Sequence, residues 1–151
     1  MTGRLLAPGL YGFDDLRLAD RIETASVTVT AEAIDRFAEL SGDRFAIHMQ
    51  DDAARALGFA GRVAHGLLVL SLIDGLKNQS PAQLRAVASL GWEIAFRAPV
   101  LVGDSLRASI QLHARRPTRD GQRGIAVFAV KARNQRDEVV QQGQTTLMML
   151  P

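Results

Sequence analysis

Residues 64–76 read AHGLLVLSLIDGL, and this stretch decides the fold. On a helix, Leu67, Leu68, Val69, Leu70, Leu72, Ile73 and Leu76 occupy almost the full circumference. A helix apolar on every side must be enclosed by other structure. The run is too short for the ~20 residues that cross a bilayer, and Asp74 interrupts it. It reads as a buried helix that the rest of the chain has to wrap.

The wrapping lies mostly downstream. Leu90, Trp92, Ile94, Phe96 and Ala98 alternate with polar or small residues, as do Leu106, Ala108, Ile110 and Leu112, the period of half-buried strands. APVLVGDS between them supplies a turn, RRPTRDGQRG leads to a third strand around IAVFAV, and NQRDE leads to a fourth ending in TTLMML. Four strands joined by short loops predict an antiparallel sheet. The third has apolar residues on both faces, Ile125, Val127 and Ala129 against Ala126, Phe128 and Val130. Both faces need cover, from a partner chain or the N-terminal segment. Upstream, TASVTV at 24–29 alternates as a strand, Thr30 reads as the N-cap of a helix ended by Gly42, and DDAARAL at 51–57 reads as a short helix stopped by Gly58. With no repeat, low-complexity tract or linker, residues 1–151 read as one α+β domain, a curved antiparallel sheet around a long central helix.

The chain has no cysteine, which excludes disulfides and thiolate metal sites and fits a reducing compartment. Its N-terminus lacks the charged start and apolar core of a secretory signal, so a cytoplasmic location is expected. Sixteen arginines stand against two lysines, yet the net charge is only +2 and aromatics are 5%. A nucleic-acid groove calls for a basic stripe with interleaved aromatics, so no nucleic-acid partner is expected, and no membrane association. The arginines of RRPTRDGQR and His113 read as solvated.

Ahead of the central run stand Asp43, His48 and His65. Taken singly, Asp43 after Gly42 is a turn residue and His48 a structural histidine. His48, His65, His113 and Asp43 show no ligand spacing such as two histidines on one helix face, so no metal is expected. Three blocks in order change the reading of the pair: FAELSGDRFAIH at 37–48, GFAGRVAHGLL at 58–68 and FRAPVLVGDSL at 96–106. Over nearly the whole chain they resemble the MaoC-like dehydratases, among them the (R)-specific enoyl-CoA hydratases with the hot-dog fold.

The resemblance implies a sheet wrapped round the helix of residues 64–76, a homodimer that joins two sheets, and reversible addition of water across the α,β-double bond of an acyl-CoA or carrier-protein thioester. That reaction takes a proton from water, returns one to Cα and stabilises charge on the thioester oxygen. By resemblance Asp43 and His48 flank the water. Gly66 donates a first-turn backbone N–H to the oxygen, a site that helix physics makes favourable and that a glycine lets a ligand approach. Coenzyme A is then part of the substrate and no cofactor is implied. His65, Asp74 and Phe45 are the candidate substrate contacts. His65 also reads as a support for packing and hydrogen bonding, and Asp74 as a helix residue facing water. The family usually has asparagine and proline where Phe45 and Ala46 stand, and some members have a serine near position 74. A hot-dog thioesterase and a non-catalytic acyl-CoA-binding subunit remain as alternatives.

Overall fold

The computed structural model describes residues 2–151. In chain order the elements are β1 (Gly9–Tyr11), a 3-10 turn (Phe13–Asp15), β2 (Arg21–Glu23), β3 (Val27–Thr28), α1 (Ala31–Ser41), α2 (Ala46–Met49), α3 (Asp51–Ala56), α4 (Gly66–Gln79), β4 (Ala82–Leu84), β5 (Ala86–Phe96), β6 (Ser105–Pro117), β7 (Gly124–Arg133) and β8 (Val139–Met149). One antiparallel sheet runs β2-β6-β7-β8-β5, with β3 also paired to β6, while β1 and β4 form a small parallel pair.

The sheet curves round α4, as expected from residues 64–76, although the helix starts two residues later and ends three later. Leu68, Val69, Ile73 and Leu76 pack with Leu106, Ile110, Phe128, Val130 and Leu147 in one buried cluster. Alternation on β6 is as read, with Leu106, Ala108, Ile110 and Leu112 at most 2% exposed. Full enclosure of α4 is not met. Leu67 is 61% exposed and Ser71, one turn on, is exposed too, because a single curved sheet covers the helix from one side only.

β5 departs from simple alternation. The register against β8 skips Leu90 between Ser89 and Gly91. Leu90 is therefore thrown out to solvent while Trp92 and Ile94 pack on the core. The predicted strand at 24–29 is broken, since pairing with β6 slips by one residue between Glu23 and Val27. On β7, part of the expected cover comes from the N-terminal segment. The Phe13 ring lies so close to Gly124 that a Cβ there would sit 2.0 Å from it. Ile125 beside it is buried, and Val127 and Ala129 are half-buried.

No helix among the described residues is long and apolar enough to cross a membrane.

Candidate active site

The site forms where α1, α2 and α4 meet. Thr30 caps α1, its Oγ1 accepting from the Ala33 N–H at 3.0 Å, and Gly42 ends it at φ +79°, the left-handed conformation that favours glycine. The reversal delivers Asp43 into a tight turn in which its Oδ1 accepts from the Phe45 N–H at 3.1 Å. The single turn of α2, which the sequence reading did not anticipate, then buries His48 to 8% exposure.

The orientation of His48 is set by one bond: its Nδ1 lies 2.7 Å from the Val63 carbonyl oxygen, and a carbonyl only accepts, so Nδ1 donates there and Nε2 is the nitrogen left for other partners. The Val63 N–H in turn donates to the Ile47 carbonyl at 3.0 Å. His65, 2% exposed, donates from Nε2 to the Asp43 carbonyl at 2.8 Å. Its ring stacks on His48 at 3.9 Å between centroids, and Phe37 packs on it at 4.9 Å. His65 is thus the support that the sequence suggested, holding both the Asp43 turn and the His48 ring. Phe45, 60% exposed, presents an edge to His48 at 6.0 Å.

One potential ligand atom from each of Asp43, His48 and His65 lies within 4.8 Å of the others, a convergence that sequence spacing did not reveal. The two imidazoles meet face to face, 27° from parallel. One nitrogen of each ring also donates to a backbone carbonyl. The donor set suits acid–base work on a small polar molecule better than a cation.

Gly66 is the first residue of α4, so its N–H has no carbonyl behind it in the helix. It opens onto a cavity of about 300 Å³ lined by Phe59, Val63, Val69, Phe96, Val100 and Gln141, among others. Val63 links the two parts, with its carbonyl on His48 and its residue in the cavity wall. The need for glycine differs from the one expected: a Cβ at 66 would sit 2.1 Å from the Phe96 ring before any ligand met it. Asp74 is not brought to this point. It lies eight residues along α4, about 12 Å from Gly66 at the helical rise, and pairs with buried Lys77 at 2.9 Å.

Phe96 and Gln141 were missed by the sequence reading. A signal for Gln141 existed, because it falls in phase with Thr145, Leu147 and Met149 on the buried face of β8. A helix wrapped by a curved antiparallel sheet defines a hot-dog protein, here with an aspartate–histidine pair beside the first turn of the helix. Residues 17–134 match the MaoC like domain, and the chain belongs to that family. It is 30% identical over 135 residues to a 3-hydroxybutyryl-CoA dehydratase of Methylorubrum extorquens, covering 87% of this chain and 80% of the relative. Among solved structures, a MaoC-like dehydratase from Rhodospirillum rubrum superposes with a TM-score of 0.84 at 28% identity, over 93% of this chain and 97% of that one. A Mycobacterium tuberculosis protein with a double hot-dog fold matches at TM-score 0.82 and 21% identity, over 96% of this chain and 46% of that one, a likeness of fold alone.

Proposed function

We propose that this chain is an acyl-thioester hydratase and dehydratase, adding water reversibly across the α,β-double bond of an enoyl-CoA. The observation that carries the reading is the convergence of Asp43 and His48, a polar side-chain atom of each lying within 4.8 Å of the other, with the His48 ring anchored through Nδ1 on the Val63 carbonyl. In the hydration direction the pair holds one water and removes its proton as the oxygen bonds to Cβ. The π electrons move toward the thioester carbonyl, whose oxygen takes the Gly66 N–H while it carries negative charge. A proton from the pair then closes Cα, and the 3-hydroxyacyl thioester leaves with the pair restored.

The reaction is redox-neutral and its protons are handled by Asp43 and His48, so coenzyme A enters as the substrate's carrier and no cofactor is required. The apolar cavity beside Gly66 suits an acyl chain. The exposed β5 edge and the open side of α4 suit a second copy of the chain, giving a homodimer, and the absence of cysteine suits a cytoplasmic setting. Asp74 pairs with Lys77 at 2.9 Å and adds no second acid to the Asp43 and His48 pair.

Incubation with crotonyl-CoA tests the reading. Loss of enone absorbance without free thiol is the expected result. Release of thiol would assign a thioesterase, and neither change would leave a binding subunit.

A further inference from the structure

Gly66 is held from two sides by a cross-strand pair. Phe96, near the end of β5, and Gln141, on β8, face each other in the register, and both reach the first residue of α4. The Phe96 ring covers the Gly66 Cα so closely that no Cβ would fit. The Gln141 Nε2 donates to the Gly66 carbonyl at 2.8 Å. The side chain is 3% exposed, yet its Oε1 finds no donor among the described residues. An acceptor buried without a partner destabilises a fold, and a methionine of similar shape would avoid it. A half-satisfied amide in a core position points to a use for the half that is satisfied.

The use follows from the residue it holds. The peptide that carries the Gly66 N–H is anchored through the His65 carbonyl, which accepts from the Val69 N–H at 3.0 Å. The glycine after it has a wide choice of backbone angles, so the N–H keeps its aim only if the far side of the glycine, the Gly66 carbonyl, is held as well. Oxyanion stabilisation works only when the donor is already aimed. We propose that Gln141 is a positioning residue: by fixing the Gly66 carbonyl, with Phe96 closing the Cα side, it keeps the Gly66 N–H directed into the cavity. This rests on the role proposed above for Gly66.

The test compares Gln141→Met, which keeps the volume and removes the donor, with Gln141→Glu, which keeps the shape and presents a carboxylate to the carbonyl. Thermal unfolding, crotonyl-CoA kinetics and the absorbance of bound dimethylaminocinnamoyl-CoA are read on each; its band moves to the red when a donor polarises the thioester carbonyl. Gln141→Met is expected to unfold at the parent temperature or above it. Its kcat should be about tenfold lower with KM within about twofold, since a group acting in the transition state lowers kcat. The red shift should shrink in both variants. Full kcat in a folded Gln141→Met protein overturns the proposal. So does a loss confined to KM, which would make the amide a substrate contact, and so does a lower unfolding temperature with an intact red shift, which would make it packing alone. If the parent gives the red shift but does not hydrate crotonyl-CoA, the hydratase reading falls while the probe still reads the Gly66 geometry.

Discussion

Asp43 and His48 approach one point from the two ends of a six-residue stretch, the first fixed by the turn at Phe45 and the second by the Val63 carbonyl. On the proposed mechanism the two share one water, so Asp43→Asn and His48→Ala should each slow hydration of crotonyl-CoA by roughly 10² to 10⁴. The double variant should be little slower than the poorer single one, as expected for groups with a common task. Steady-state rates on variants shown to be folded by circular dichroism check this, and parent-like rates in both single variants would remove the pair from the chemistry. At Gly66 the Phe96 ring makes a sharper test. Gly66→Ala should lower kcat at least tenfold by displacing that ring, and adding Phe96→Ala should recover part of the loss by making room. A double variant no faster than Gly66→Ala alone would exonerate Phe96. The pair was legible in the sequence because five positions separate the two residues within one recognisable block. Phe96 and Gln141 were not, since they arrive from strands far along the chain and declare themselves only once the sheet has closed.

α1 was readable at both ends, Thr30 and Gly42, because caps are local chemistry. Thr30→Ala should cost about 1 kcal/mol, a fall in Tm of roughly 2–4 °C for a chain of this size, with kcat unchanged; calorimetry and the enoyl-CoA assay check the two halves. The skipped Leu90 and the slip between β2 and β3 could not be read, because a bulge depends on the partner strand. The N-terminal segment was equally silent. It is tied down by Arg4, whose guanidinium donates to Asp20 at 2.9 and 2.6 Å, while the Arg17 N–H adds a bond at 2.8 Å. Burial alone would raise the Asp20 carboxyl, but Arg4 and Arg17 together hold it below the usual value. A carboxyl depressed in the folded state stabilises above its unfolded pKa of about 3.9 and loses that contribution as the pH falls through the lower folded value. Asp20→Asn should therefore be less stable than the parent at neutrality, and the two urea midpoints should converge below about pH 4. A constant gap down to the acid limit would contradict it.

At the scale of the molecule, the wrapped helix was legible from its apolar circumference, and the side of it left open, with Leu67 61% exposed, is the face the proposed second copy would cover. β5 is an edge strand exposed along most of its length, and Val87 and Leu90 are 41% and 50% exposed. An unblocked edge of this kind pairs readily with another. A homodimer burying well over ~1,000 Å² is expected, with light scattering at micromolar concentration giving twice the chain mass. Leu90→Lys combined with Leu67→Glu should return the chain to a monomer, and a parent that is itself monomeric would refute the assembly.

Leu67, the exposed residue of α4, is bonded directly to Gly66. On the proposed assembly and mechanism, the surface that takes a second copy begins one residue from the N–H that meets the thioester, so both would draw on a single turn of helix. The enzyme should behave as a gauge of its own concentration: diluted below the dimer's dissociation constant, each molecule loses the support that steadies its first turn, and specific activity falls. Assays repeated across a wide range of enzyme concentration would trace that dependence, and a constant rate per molecule through the monomer transition would separate the two roles of the helix.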